Sequence, residues 1–100
     1  MKNYIPTQKH WKDMFAQYSF YTVLEKFPIQ QIKRKKLRND TNLNDVLYML
    51  THFDKDAWMP VTLDKEYCLV DGQHRLAVAD QMRLEYVDVA ILLDDRYKSS

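Results

Sequence analysis

Glycine and cysteine are the residue types that this chain of 100 residues has least of. The one glycine, Gly72, excludes the dinucleotide-binding fingerprint, which needs three glycines, and the P-loop, which needs two. The one cysteine, Cys68, excludes an internal disulfide and a zinc site built from several cysteines. Because Cys68 lies in an apolar stretch, we expect it to be a small core residue in a reducing compartment.

Long apolar runs are missing as well. The longest, residues 89–93, is far shorter than the roughly 18 residues that a membrane helix needs, and the polar N-terminus has no signal-peptide core. We therefore expect a cytoplasmic protein without membrane contacts. The composition, 46% hydrophobic and 29% charged, is that of a folded chain, and the length allows one hydrophobic core. We expect residues 1–100 to form a single domain.

Basic and acidic side chains are unevenly distributed along the chain. Residues 1–38 hold nine lysines and arginines against two acidic residues, whereas residues 39–100 hold six against twelve. This asymmetry indicates either an anionic partner or two complementary surfaces within the domain. The densest basic segment has five cationic side chains: Lys33, Arg34, Lys35, Lys36 and Arg38. Such a segment is usually a solvated loop, but it could also fold over a triphosphate or follow a nucleic-acid backbone.

The spacing of apolar residues predicts three helices and four strands. A period of three to four predicts helices at residues 10–24, 43–53 and 73–82. Short apolar runs predict strands at 27–32, 58–63, 67–70 and 86–93. A turn at 64–66 joins the middle two strands into a hairpin, and the last strand is apolar enough to be central. The order predicts an α+β fold with mixed α/β layers.

The N-terminal helix is expected to be aromatic on its buried side. Seven of the thirteen aromatic residues lie between Tyr4 and Phe27. Large rings commonly fill the core of a small domain, so we favour core packing over a docking surface for a protein partner.

The segment Asp71-Gly72-Gln73-His74-Arg75 stands where a predicted strand turns into a predicted helix. Amide groups at a helix N-terminus lack intrahelical acceptors and face the positive end of the helix dipole, so this position suits a phosphate. Gly72 permits close backbone approach or a positive φ. Gln73 and His74 would offer N–H groups, the His74 ring a further hydrogen bond, and Arg75 a bidentate contact. Asp71 would hold Mg²⁺ or accept a proton from a water or hydroxyl group.

A simpler interpretation of the same turn stays open. Asp71 would then be an N-cap and Gly72 a tight connection, with His74 and Arg75 solvated in the first turn.

The wider pattern resembles the ParB/sulfiredoxin fold family over roughly residues 27–93, preceded by an N-terminal helical extension at 1–26. The matching segments are FPIQQI at 27–32, a polar loop with Arg38, a helix at 43–50, PVTL at 60–63, YCLVDGQHRLAVA at 67–79 and YVDVA at 86–90. In that family the turn reads G-x-H-R in sulfiredoxin, G-x-R-R in partition proteins and D-G-H-x-R in free-serine kinases. The resemblance implies that Gly72 to Arg75, with Arg38, bind the phosphates of ATP or CTP.

The chain also departs from each branch of that family. Gln73 stands where sulfiredoxin has its reactive cysteine, so sulfinic-acid repair is not expected. Partition proteins continue into helix-turn-helix and dimerisation domains, whereas seven residues follow Leu93, so we expect less than a complete partition protein. In the serine-kinase branch an acidic residue after the first strand acts as base, and Asp40 lies in that region.

Two functions follow as hypotheses. In the first, the chain binds ATP or CTP with Mg²⁺, and Asp71, His74 and Asp40 support phosphoryl transfer or nucleotide hydrolysis; whether turnover occurs stays open. In the second, it is a non-catalytic module that binds DNA through Lys33, Arg34, Lys35 and Lys36, or a protein through its aromatic helix. DNA binding of this kind would weaken steeply with salt.

Overall fold

The computed structural model of this chain describes residues 3–34 and 43–93. Three α-helices and four strands occur in these ranges: α1 Lys9–Ala16, β1 Tyr21–Pro28, α2 Leu43–Thr51, β2 Val61–Asp64, β3 Leu69–Asp71, α3 Gln73–Gln81 and β4 Tyr86–Leu92. Short 3₁₀ turns lie at Ile29–Gln31 and Lys55–Ala57. The strands form one mixed sheet, which confirms the predicted α+β class.

The sheet has the strand order β1-β4-β2-β3, so β4 is central, as its apolar sequence predicted. It pairs antiparallel with β1 and parallel with β2, and β2 and β3 form the predicted antiparallel hairpin. Strand β4 and helix α3 supply much of the core. Side chains with little or no exposure include Val61, Leu63, Leu76, Val78, Val87 and Val89. Cys68 is buried with a free thiol, in line with the expected core position.

The prediction of a helix over residues 10–24 is wrong beyond Ala16. Residues from Tyr21 onward form β1, an edge strand whose Thr22 and Val23 pair with Ile91 and Ala90 of β4. Apolar side chains that recur every three or four residues do not distinguish a helix from a strand here. Hydrogen bonds to β4 satisfy the backbone N–H and C=O groups along β1. The sheet therefore begins within the segment expected to be a helical extension.

The strand predicted at 27–32 is likewise displaced, because β1 ends at Pro28 and a 3₁₀ turn follows. Pro28 sits at the strand's end, where its missing N–H is tolerated.

The aromatic residues around α1 pack on one another and not in the core, contrary to the prediction. No residue of α1 is buried. The rings of Phe15 and Tyr21 meet edge to face with centroids 4.9 Å apart, and Tyr18 and Phe20 each keep more than a third of their surface exposed. Phe27 alone among these rings is buried. The aromatic cluster therefore covers one edge of the sheet at the protein surface.

The N-terminal segment is attached to the sheet through one buried carboxylate. Asp88 on β4 is 1% exposed. It accepts hydrogen bonds from the Tyr4 hydroxyl at 2.5 Å, from the amide and hydroxyl of Thr7 at 2.8 Å each, and from the Lys26 amide at 3.0 Å. Desolvation, followed by the hydrogen bond to Asp88, raises the pKa of Tyr4.

Helix α3 ends in a turn that would suit glycine but contains Arg83. The Leu84 amide donates to the Ala79 carbonyl at 3.0 Å, which closes a Schellman motif around Arg83 at φ 58°. A side chain in this left-handed conformation costs about 1–2 kcal/mol.

We therefore expect Arg83→Gly to raise the free energy of unfolding by up to about 1 kcal/mol, after the greater entropy of glycine in the unfolded chain is subtracted. Urea denaturation would measure it. Arg83→Ala is the matched control, because it removes the side chain and keeps the strain. Equal stability of the glycine and alanine variants would contradict the prediction.

Candidate functional site

The turn between β3 and α3 adopts the conformation for which glycine was predicted. Gly72 is the N-cap of α3 and has φ 99° and ψ 25° in the left-handed region. A Cβ atom here would lie 2.9 Å from Cγ1 of Val61 and 3.0 Å from Nη2 of Arg75. Both the backbone conformation and the close packing therefore require glycine.

Arg75 folds back over this glycine. Its Nη2 donates to the Pro60 carbonyl at 3.4 Å, while its Nε is buried without a hydrogen-bond partner. Burial lowers the pKa of Arg75, and the nearby charge of Asp71 opposes this effect. A guanidinium nonetheless stays protonated in proteins, so the cleft holds a partly desolvated positive charge with an unused donor.

The His74 ring is the second group with an unused polar atom. Its Nε2 is buried without a hydrogen-bond partner. Oδ2 of Asp45 lies 3.7 Å from this nitrogen, which is an ion-pair distance and too long for a hydrogen bond. Buried polar atoms without partners are uncommon in folded proteins, and two in consecutive residues point to an external hydrogen-bonding partner.

Asp45 is a site residue that the sequence analysis missed. It lies in the first turn of α2, where an acidic residue commonly does no more than complement the helix dipole. Only the packing of α2 against α3 brings its carboxylate to His74. The residue type and its position carry no signal that distinguishes these two roles.

The five residues of the motif line one cleft of about 670 Å³. Its other walls are α2, with Asp45, Tyr48 and Met49, and strand β3. The structure thus brings Asp71, Gly72, Gln73, His74 and Arg75 together around one opening.

The simpler interpretation of the turn is wrong about the cap. Asp71 is the last residue of β3, and the N-cap is Gly72, which has no side chain to cap the helix. The expectation of solvated side chains is met by His74, whose side chain keeps 39% of its surface exposed, whereas Arg75 is half-buried.

The basic segment is partly integrated into the fold. The Lys33 amide donates to the Tyr67 carbonyl at 2.8 Å, so its backbone extends the sheet beside β3. The Arg34 guanidinium binds both carboxylate oxygens of Asp80 on α3, and this hydrogen bonding raises the pKa of Arg34. Arg34 nonetheless stays exposed, with 40% of its side-chain surface open to solvent, so the expectation of a solvated loop is confirmed for this residue and its ion pair lies at the surface. The remaining candidates of this region, Lys35, Lys36, Arg38 and Asp40, lie outside the described residues.

A magnesium ion is compatible with the carboxylates of the cleft. Residues 3–34 and 43–93 contain no group of three or more histidine, cysteine or acidic side chains arranged to hold a metal. Mg²⁺ bound with a nucleotide commonly uses only one or two protein carboxylates, with phosphate oxygens and water as its other ligands. Asp71 and Asp45 both line the cleft and match that requirement.

Comparisons with known proteins establish the fold. No protein-family model and no curated protein matches the sequence. A solved structure described as the C2221 form of a Pnob8-like ParB-N domain is similar, with a TM-score of 0.52 and 19% sequence identity. The match covers 81% of this chain and 34% of the chain in that structure, so this protein spans about a third of the length of the ParB-N domain chain. The protein therefore has a ParB-like fold, as its sequence motifs indicated.

The described part of the chain has no helix with the length and apolar character to span a membrane.

Proposed function

We propose that this protein binds a nucleoside triphosphate, ATP or CTP, with its phosphates at the N-terminus of α3. One observation carries the proposal: Nε2 of His74 and Nε of Arg75 are both buried and without hydrogen-bond partners beside the same cleft. Phosphate oxygens accept hydrogen bonds from such nitrogens, and an arginine fork binds two of them at once. A phosphate would therefore supply the partners that the fold leaves missing.

The backbone of the turn supports the same ligand. The first intrahelical hydrogen bond of α3 runs from the Leu76 amide to the Gly72 carbonyl at 2.9 Å. The amides of His74 and Arg75 precede it, so they have no acceptor within the helix. The left-handed Gly72 has no side chain to hinder approach to these amides. Together with the helix dipole, they favour an anion at this position.

The carboxylates of Asp71 and Asp45 would repel a triphosphate if they faced it alone. We therefore propose that the nucleotide binds with Mg²⁺, held by Asp71 and Asp45 together with phosphate oxygens. The ion would neutralise charge on the phosphates. Binding is accordingly expected to weaken when Mg²⁺ is removed with EDTA.

Phosphoryl transfer or hydrolysis is within the chemistry of these side chains. Attack of a water or hydroxyl oxygen on the γ-phosphorus would break the bond from that phosphorus to the oxygen bridging to the β-phosphate and release the nucleoside diphosphate. Asp71 would either stay a ligand of Mg²⁺ or, with Asp45 holding the ion, accept the proton of the attacking group, and the His74 ring would donate a hydrogen bond to a phosphate oxygen. Release of inorganic phosphate from bound ATP or CTP measures whether turnover occurs.

Arg75→Ala tests the proposal directly. In the intact protein, ATP or CTP with Mg²⁺ should raise the melting temperature, because a ligand that binds only the folded state stabilises it. Losing charge-assisted hydrogen bonds worth about 1.5–3 kcal/mol should weaken affinity roughly 10- to 100-fold in Arg75→Ala. Arg83→Ala is the matched control, since it removes the same charge just beyond the opposite end of α3.

If the folded wild-type protein gives no thermal shift and no heat of binding with ATP, CTP or GTP plus Mg²⁺, the proposal is wrong. An equal loss of nucleotide affinity in Arg75→Ala and Arg83→Ala would show that only the net charge matters, and it would also contradict the proposal.

A further inference from the structure

Two aromatic side chains on α2 and just after it form a stacked pair. Tyr48 and His52 are one helical turn apart, and their rings lie 4.1 Å apart at the centroids with 23° between planes. Nδ1 of His52 is 3.1 Å from the Tyr48 carbonyl. Because a carbonyl can only accept, Nδ1 is the donor, and this bond holds the imidazole against the phenol ring.

Tyr48 is far more exposed than aromatic side chains that pack in a hydrophobic core. It keeps 65% of its surface exposed, whereas Val46 on the same helix is buried and Met49 and Leu50 pack against the core. Since His52 covers one face of the phenol ring, the opposite face and the edges account for most of the exposed surface. No contact within residues 3–34 and 43–93 gives the opposite face of Tyr48 a packing role.

This ring lies at the junction of two clefts. Tyr48 lines the large cleft with the α3 turn and also a smaller one of about 160 Å³, and Arg75 lines both. Asp45, three residues before Tyr48, is 3.7 Å from Nε2 of His74. Side chains three residues apart on a helix are roughly 5–6 Å apart at Cβ, so Tyr48 lies about one turn along α2 from Asp45, whose carboxylate is beside His74. A sugar ring can span a gap of that size.

The smaller cleft has a fixed, mainly apolar wall. The rings of Phe53 and Trp58 lie 5.4 Å apart, and Trp58 is 4% exposed. Nε1 of Trp58 donates to the Ile5 carbonyl at 3.1 Å, which satisfies its polar atom and fixes its orientation. The smaller cleft therefore suits a flat ring with polar edges that is attached to an anion in the larger cleft.

We propose that Tyr48, backed by His52, is a stacking platform for the base of the bound nucleotide. The inference rests on the proposed function and adds to it how the non-phosphate part of the ligand is held. Aromatic stacking accepts every base, because each presents a π-face. The platform therefore distinguishes a nucleotide from a bare polyphosphate and discriminates little between ATP and CTP.

Calorimetric titration of the intact protein with ATP, CTP and inorganic tripolyphosphate, each with Mg²⁺, tests the platform. Tyr48→Leu should weaken binding of ATP and CTP by about 10-fold or more and leave tripolyphosphate binding unchanged. Tyr48→Phe should retain wild-type affinity for all three ligands, because it preserves the ring. Leu47→Ala is the matched control: Leu47 is 49% exposed on the same helix but lines neither cleft.

The outcomes separate the two proposals. If wild-type protein binds tripolyphosphate and the nucleotides equally, or if Tyr48→Leu weakens all three ligands alike, the platform is wrong while phosphate binding stands. If the wild-type protein binds none of the three, the proposed function fails and the platform with it. Circular dichroism and a melting curve of Tyr48→Leu establish that the variant is folded, as the exposure of Tyr48 leads us to expect.

Discussion

Asp88→Ala should lower the free energy of unfolding by about 3 kcal/mol or more, the largest effect of a single side-chain removal that we expect here. The substitution takes the shared acceptor away from the Thr7 amide, the Thr7 hydroxyl and the Lys26 amide. Each buried donor left without a partner costs roughly 1–3 kcal/mol, and detachment of the N-terminal segment would recover part of this by hydration. Urea denaturation followed by circular dichroism would measure the change.

Asp13→Ala is the control for removal of a carboxylate. Asp13 lies on the exposed surface of α1 and pairs with the exposed Lys9 in a contact of the kind that contributes little, so its loss should cost less than about 0.5 kcal/mol. The Tyr4 phenol provides a second readout, because Asp88 contributes to the raised pKa of that group. In Asp88→Ala the pKa of Tyr4 should fall toward its ordinary value, which absorbance titration can follow. A stability equal to that of Asp13→Ala would contradict the role assigned to Asp88.

Gly72→Ala should destabilise the protein by about 2–5 kcal/mol and also weaken nucleotide binding. An alanine at φ 99° carries a left-handed strain of about 1–2 kcal/mol. Its Cβ would also lie 2.9 Å from Cγ1 of Val61, and overpacking of a buried contact typically costs a further 1–3 kcal/mol. Because the same Cβ would lie 3.0 Å from Nη2 of Arg75, relief of the clash would displace the guanidinium from its position.

A double-mutant cycle separates strain from crowding. Val61→Ala removes Cγ1, the atom nearest to the new methyl group, so Gly72→Ala should cost less in that background than in the wild type. The cost that remains contains the backbone strain and the contacts with Nη2 of Arg75 and Cβ of residue 61. Thermal or urea unfolding of the four proteins gives the coupling. Fully additive effects would show that Val61 does not crowd the new methyl group, and a stability of Gly72→Ala within 0.5 kcal/mol of wild type would contradict both terms.

The candidate site divides into parts that local sequence could predict and parts that it could not. The lone glycine after an apolar run predicted either a close backbone approach or a positive φ at Gly72, followed by the start of α3; the structure shows the positive φ and the helix start. The apolar run at residues 86–93 predicted a central strand, and β4 occupies Tyr86–Leu92 in the interior of the sheet. By contrast, nothing near Asp45 indicates that its carboxylate faces His74, and nothing near Tyr48 indicates that its ring lies between two clefts. Those relations depend on how α2 packs on α3.

The N-terminal region shows the same division. The aromatic spacing around Tyr18 and Tyr21 is compatible with either a helix or a strand, and pairing with β4, more than sixty residues later, selects the strand. In the local sequence, Asp88 is a polar residue within an apolar strand. Its burial is explained by hydrogen bonds from Tyr4, Thr7 and Lys26, which are distant along the chain.

Sequence alone determined the fold class, the turn conformation at Gly72 and the set of phosphate-binding candidates after it, because each depends on backbone preferences and periodicities within a few residues. Tertiary structure decided where the first helix ends, that Arg34 is paired with Asp80, and which side chains of α2 face the α3 turn. Each of these is a contact between groups far apart along the chain, and its free energy exists only once the core has brought them together.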